Sequence, residues 1–294
     1  MPLPAVREGV ANAGGTEVHY YSSNPDLGAG RDESRQSIGL PKPPVVLLHG
    51  TGGSAENSFW ALYPMLAMRH RVVAFDFVDP LDVDQTGTLE EYVAQAVAVI
   101  DAICKDGPCY IVGYSFGAVI AIALAAKRPD LVAALVLIAG WATTDAHQLM
   151  RNSIWQQLYD EQSPALAEFM VFTGYSHRFI LAKTPTELEE LICNVRSGPD
   201  RSAKMRFNRN VAIADLLSDV AAPTLVIGCS EDLMAPVRHS RMLFGGIDNA
   251  RYVEVIAGHS VVHERPAELF TLIDTFLKDP EATPAGHQFG STHA

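Results

Sequence analysis

The chain has 294 residues, 48% of them hydrophobic and 19% charged, with a formal net charge of −12. That length suits one large domain or a domain carrying a sizeable insertion, and the composition is that of a globular protein with a full core. The acidic balance argues against nucleic acid or an anionic membrane as the main partner, because both demand a basic footprint.

No stretch reads as a membrane span, and the opening "MPLPAVREGV" lacks the charged-then-apolar pattern of a secretory signal. Cys104, Cys109, Cys193 and Cys229 show no CxxC spacing and are too sparse for a disulfide framework. Reduced, mostly buried thiols in a cytoplasmic protein are expected.

In chain order, "TEVHYYS" (16–22) reads as a strand, and the polar, Gly/Pro-containing "NPDLGAGRDESRQSIGLPKPP" (24–44) as a mobile surface loop. Two short buried strands follow, "PVVLLH" (44–49) and "RVVAFDF" (71–77). The segment 88–104 places Leu89, Tyr92, Val93, Ala96, Val97, Ile100 and Ile103 on one helical face, with Thr88 and Glu91 as a capping box at its start. After the turn "DGP", "CYIVGY" (109–114) is a strand, 116–130 a helix stopped near Pro129, and "AALVLIAG" (133–140) another strand.

The alternation then breaks. Residues 145–216 show helical segments rich in aromatics (Trp155, Tyr159, Phe169, Phe172, Tyr175, Phe179) and no strand signal. It resumes with strand 223–229, helix 236–244, strand 251–256 and helix 266–279, and the tail 280–294 reads as disordered. Repeated strand–helix units imply an α/β domain, a mostly parallel sheet flanked by helices. The expected core is therefore discontinuous (1–144 and 217–280), with an inserted helical cap at 145–216 and a disordered tail at 281–294.

Within this pattern Ser115 stands in the strand–turn–helix segment "CYIVGYSFGAVIAIALAA", flanked by Gly113 and Gly117. G-x-S-x-G in that context describes a turn too sharp for side chains on either side, which lifts a serine above the sheet edge beside a helix N-terminus. A hydroxyl becomes a nucleophile only with a base, and the base needs an orienting carboxylate. Asp232 follows the strand 223–229 and His259 follows the strand 251–256, so the order is Ser…Asp…His. Glu231 is an alternative acid, and the spacing to Pro236 favours Asp232.

These segments resemble the α/β-hydrolase family over nearly the whole chain. "HGTGG" (49–53) is similar to its strand-end HG motif and "GYSFG" to its nucleophile elbow. "DLLSDVAAPTLVIGCSEDLMAP" and "AGHSVVHERPAELFTLIDTFL" are similar to its acid and histidine blocks. The resemblance implies Ser115 as nucleophile, His259 as general base, Asp232 as its orienter, the backbone N–H groups of Thr51 and Phe116 as oxyanion donors, and no cofactor. Two departures stand out: "FDFVDPLDVDQTGT" replaces the glycine-rich turn of many members, and Ala118 occupies a position that is often glycine.

Rival readings come from other classes. "GTGGSA" (50–55) matches a loose dinucleotide fingerprint, with Asp76 where a ribose-binding acid could sit, but Pro64 interrupts the required helix and no Tyr-x-x-x-Lys pair is present. A non-catalytic binding module on the same scaffold would leave a complete triad without purpose. Metal is not expected: His259 and His263 lack the Glu of H-E-x-x-H, and the calcium-like "DVDQTG" from Asp82 has Val93 at its twelfth position. His263 then reads as an ordinary helix-start or surface histidine.

The cap is expected to roof Ser115, with Trp60, Trp155, Phe172 and Tyr175 as candidate substrate contacts. The basic stretch 196–209, with Arg196, Arg201 and Arg206, could guide a carboxylate-bearing or phosphopantetheine-linked substrate. The expected activity is hydrolysis of a carboxylic ester, lactone or thioester through an acyl-serine. C–C bond hydrolysis, acyl transfer and cofactor-free perhydrolysis are performed by relatives on the same triad.

Overall fold

Strands β3 (Val45–Leu48), β4 (Val72–Phe75), β5 (Cys109–Tyr114), β6 (Val132–Ile138), β7 (Thr224–Cys229) and β8 (Ala250–Val255) run parallel in the order β4-β3-β5-β6-β7-β8. A hairpin of β1 (Val6–Ala13) and β2 (Thr16–Ser23) adds antiparallel to β4, completing an eight-stranded sheet. The structure is a computed structural model and describes residues 6–23, 43–80, 85–104 and 107–290. The expected mobile loop at 24–44 and the acidic loop from Asp82 therefore lie largely outside the described residues.

The short apolar runs are strands because both faces of the sheet are covered. Val46 and Leu48 pack with α3 (Leu89–Ile103) and α4 (Phe116–Lys127) on one side. Val45 and Leu47 pack on the other with α1 (Ala55–Phe59), α2 (Leu62–Ala67) and α12 (Pro266–Lys278). Alternate residues serving opposite cores is the period-two rule of a strand, and a doubly covered sheet erases the polar half of that alternation. The capping box of Thr88 and Glu91 starts α3 as expected.

Between β6 and β7 the chain builds α5 (Ala146–Asp160), α6 (Ala165–Gly174), α7 (His177–Leu181), α8 (Pro185–Arg196) and α9 (Ser202–Asn208). A short antiparallel neck closes this insertion: Thr144 N–H donates to the Val211 carbonyl at 2.9 Å and Ile213 N–H to the Ala142 carbonyl at 2.8 Å. The order after β7 is α10 (Arg238–Gly246), β8, α11 (Val261–Glu264) and α12. Among the described residues, no helix is long and apolar enough to cross a membrane.

Four features differ from the sequence reading. β1 was not expected, because its edge position leaves it largely exposed and without apolar alternation; Gly14 and Gly15, both at positive φ, make the tight turn that pairs it with β2. Pro64 does not break α2, since the helix begins two residues earlier and the ring sits in the first turn, where no N–H partner is needed. Cys104 and Cys109 are joined as a disulfide rather than reduced, linking the C-cap of α3 to the first residue of β5; Cys193 and Cys229 are free thiols.

The tail is the fourth. Up to residue 290 it is not disordered but runs beside β8, with Gly286 N–H on the Ala250 carbonyl (2.8 Å), Tyr252 N–H on the His287 carbonyl (3.0 Å) and Phe289 N–H on the Tyr252 carbonyl (2.8 Å). Arg251 Nε reaches the Thr283 carbonyl at 2.7 Å. A tail without periodicity is held here because an edge strand offers unpaired main-chain groups. Ending the chain at Asp279 is expected to lower the unfolding free energy by about 2–4 kcal/mol, at about 1 kcal/mol per hydrogen bond. It should also raise light scattering on heating, which a urea titration and a thermal ramp would measure.

Candidate active site

Ser115 is the N-cap of α4 and follows β5 directly, with φ 55° and ψ −118°. Such backbone costs on the order of 1–3 kcal/mol for an L residue and persists only where its surroundings enforce it. The enforcement is visible on both sides. Ser115 N–H is held by the Ile138 carbonyl at 2.8 Å. A Cβ on Gly117 would collide with the Leu48 carbonyl, and one on Gly113 would lie 2.5 Å from the Gly117 carbonyl oxygen and 2.7 Å from Ala118 Cα. The two glycines thus let α4 start immediately and lie close on β3 and β5. Ala118 still fits, because it faces Gly140.

The three residues far apart in sequence converge at this edge. Ser115 Oγ lies 2.7 Å from His259 Nε2, and His259 Nδ1 lies 2.7 Å from Asp232 Oδ2. An ionised carboxylate can only accept, so Nδ1 carries the proton and Nε2 is left to accept from the serine hydroxyl. Asp232 is fixed in turn, its Oδ1 accepting from Met234 N–H (2.7 Å) and Ala235 N–H (2.8 Å). All three residues are buried. Glu231 points elsewhere, its carboxylate taken by Arg178 (2.9 Å) and His177 (2.7 Å).

Phe116 is the first residue of α4, so its N–H has no carbonyl behind it within the helix. Thr51 sits on the facing loop, where Gly53 N–H closes on the Gly50 carbonyl at 3.1 Å. His49 holds that loop in place. Its Nε2 accepts from Phe77 N–H at 3.0 Å, so Nδ1 carries the hydrogen it donates to the Gly50 carbonyl at 2.8 Å. Burial first, and the charge of Lys204 second, push the His49 pKa down to about 4.

The insertion is tied to the core around the same edge. Lys204 of α9 reaches Asp79 at 2.7 Å, and the Asn208 amide donates to Thr51 Oγ1 at 2.8 Å. Phe207 packs edge-on against Phe116 at 5.3 Å. Opposite, Glu264 accepts from Ser176 N–H (2.9 Å), Ser176 Oγ (2.5 Å) and Gly258 N–H (3.1 Å), which clamps the residue preceding His259 to the start of α7. The Tyr114 hydroxyl donates to the His259 carbonyl at 3.0 Å.

A cleft of about 1050 Å³ opens between sheet edge and insertion, lined by Ser115 and His259 together with Thr51, Trp60, Trp155 and Tyr175. Phe172 is not part of it. Met170 and Gly174, four residues apart, present one face of α6 to the cleft, and Phe172 stands on the opposite face, 64% exposed. His263 is more than an ordinary helix-start residue: it lines the cleft, with Tyr175 Oη 3.0 Å from its Nδ1 and its Nε2 2.8 Å from the Asn57 carbonyl. Asp76, the candidate ribose ligand, is occupied by Ala55 N–H (2.6 Å) and the Tyr21 hydroxyl (3.0 Å). Among the described residues, no cluster of three His, Cys, Asp or Glu side chains could hold a metal ion.

A model of the alpha/beta hydrolase family matches residues 45–272. A pyrrolizixenacetamide deacetylase of Xenorhabdus hominickii is 30% identical over 242 residues, 80% of this chain and 91% of that protein. An alpha/beta hydrolase enzyme from a Medee basin deep-sea metagenome library superposes with a TM-score of 0.76 at 19% identity, covering 92% of this chain and 98% of that one. The enol-lactonase from Burkholderia xenovorans LB400 gives 0.73 at 22% identity, covering 92% and 100%. At these identities the structural likenesses speak to the fold alone.

Two outcomes follow from the geometry. Gly117→Ala forces a methyl group onto the Leu48 carbonyl, so the variant should lose more than about 3 kcal/mol of stability or fail to accumulate, read by a urea titration. His49 has a folded pKa below its unfolded value, so between the two the unfolded chain binds a proton that the folded chain does not. Its contribution is full above about pH 6.5 and falls as pH drops toward 4. The urea midpoint should therefore decline from pH 7 to 4.5, with a shallower decline in His49→Asn.

Proposed function

The chain belongs to the alpha/beta hydrolase family, and we propose that it is a serine hydrolase that opens a carboxylic ester, lactone or thioester through an acyl-Ser115 intermediate. The observation that carries this reading is the continuous chain from Asp232 through His259 to Ser115, with 2.7 Å at each link.

In the proposed sequence His259 Nε2 takes the Ser115 proton as Oγ forms a bond to the substrate carbonyl carbon. Asp232 stabilises the resulting imidazolium without accepting its proton. The N–H groups of Phe116 and Thr51 receive the developing oxyanion, an arrangement worth a few kcal/mol. Collapse breaks the bond to the leaving oxygen or sulfur, which takes the proton from His259. Water then repeats the cycle: His259 deprotonates it, it attacks the acyl carbon, and Ser115 leaves with the proton. The helical insertion serves as a cap whose Trp155 and Tyr175 border the acyl pocket.

A second reading, amide hydrolysis, is favoured by the relative from Xenorhabdus hominickii, which is named a deacetylase. The same steps apply with nitrogen as the leaving atom, protonated by His259 as it departs.

A fluorophosphonate probe should label the wild-type protein and not Ser115→Ala. Asp232→Asn should fold normally but lose about ten-thousand-fold in kcat, through the wrong imidazole tautomer. A panel of p-nitrophenyl esters, lactones, acyl-CoA thioesters and N-acetyl amides would rank the leaving groups. A wild-type protein that neither takes the label nor turns over any member would end the proposal.

A further inference from the structure

Two arginines face the cleft from the insertion, and neither has a carboxylate of its own. Arg151 of α5 is buried, and its Nη1 and Nη2 reach only neutral oxygens, Asn152 Oδ1 at 3.2 Å and Thr173 Oγ1 at 3.4 Å. Its Nε has no hydrogen-bond partner among the described residues. Arg201, just before α9, has Nη1 against the Met170 sulfur at 3.5 Å, and its side chain lies over Gly52 of the Thr51 loop, filling the space a Cβ there would need. Both line the cleft that contains Ser115.

The carboxylates that could neutralise them are engaged elsewhere. Asp232, whose charge acts on Arg151, has one oxygen on His259 and the other on two backbone amides. Asp200, adjacent to Arg201, turns its oxygens onto Arg201 N–H (2.8 Å), Ser202 N–H (3.2 Å) and Ser202 Oγ (2.6 Å). No ion pair to Arg151 or Arg201 forms among the described residues. Burial pulls the Arg151 pKa down to about 10, against the charge of Asp232 and with that of Arg201, which leaves the group still well charged at neutral pH.

A buried guanidinium without a counter-charge is costly, and a cleft that sets a second, half-buried one beside it is shaped for an anion supplied from outside. Beyond the two arginines, Glu56, Glu187 and Glu190 border the cleft against Lys183 alone, so a second negative charge on the ligand would meet repulsion. The balance suits a monoanion, and a planar carboxylate matches the guanidinium fork.

We propose that Arg151 and Arg201 form a carboxylate subsite, so that the substrate of this hydrolase carries a free carboxylate on the same molecule as the carbonyl that Ser115 attacks. This rests on the serine-hydrolase reading above and narrows it. Of the basic residues in the stretch 196–209, Arg201 is the member facing the cleft; Arg196 is exposed, and Arg206 lies outside the cleft lining, with an amino group on the Gln85 carbonyl at 3.1 Å. Arg151 had no sequence signal at all.

The test compares mono-p-nitrophenyl glutarate with the same ester bearing a terminal carboxamide, each corrected for spontaneous hydrolysis. Wild-type kcat/KM should favour the carboxylate by at least about tenfold, the scale of a charge-assisted hydrogen bond. Arg151→Met and Arg201→Met should each shrink that ratio by about 10- to 100-fold, with part regained in the Lys variants. Glutarate should slow fluorophosphonate labelling of the wild-type protein, and inorganic phosphate at equal concentration should not. The wild-type ratio and the glutarate protection decide even where a Met variant folds poorly. Equal turnover of the two esters, a preference surviving both Met substitutions, or phosphate protecting as well as glutarate would overturn the subsite while Ser115 labelling leaves the hydrolase reading standing. Absent labelling removes that reading, and the subsite with it.

Discussion

Helix α4 begins one residue after β5 because nothing stands between Gly117 and the Leu48 carbonyl. Everything at the sheet edge depends on that close approach. It forces Ser115 into a backbone conformation that raises its hydroxyl out of the layer, and it puts the N–H of Phe116 in a first helical turn, where no carbonyl of the helix can take it. The same approach stacks Phe116 into an aromatic cluster with Phe77, Tyr92 and Phe207, so the first turn of α4 is gripped from below. The strain is local and the packing that opposes it is broad, which is how a fold holds an unfavourable dihedral.

The remaining groups are delivered by loops at the carboxyl ends of parallel strands, where doubly wound sheets gather their chemistry. Each loop carries its own fastening. Two backbone amides hold Asp232, Tyr114 and Glu264 hold the loop of His259, and a neutral imidazole holds the loop of Thr51. The insertion participates in these fastenings through Asn208 and Ser176, so it belongs to the site mechanically as well as spatially.

Much of this was legible in the sequence. A serine between glycines, an acid and a histidine each after a buried strand, and the strand–helix alternation all leave local marks. What stayed hidden depends on contacts without such marks. β1 is too exposed to show alternation, and the tail is ordered by a neighbour's unpaired edge rather than by its own residues. The Cys104–Cys109 bond joins the end of α3 to the start of β5, which cysteine spacing alone does not announce. Phe172 was grouped with the cleft aromatics because composition does not tell which face of α6 turns inward, and it turns outward. Arg151 and Glu264 are charged residues in helical runs, and only the tertiary fold shows that one lines a cleft and the other grips a loop.

The Glu264 clamp also decides how the roof can move. Ser176 and Gly258 share one carboxylate, and Ser260 N–H is bound to the Gly174 carbonyl at 2.7 Å. Swinging α6 and α7 outward would drag the imidazole with them, while the α9 side is bolted by Lys204 and Asn208. Among the described residues, the side-chain hydrogen bonds of α8 are all internal, and this helix leans on α6 rather than on the sheet. The wall that α8 adds to the cleft is therefore tied chiefly to α6, at one remove from the loops that hold Ser115, Asp232 and His259.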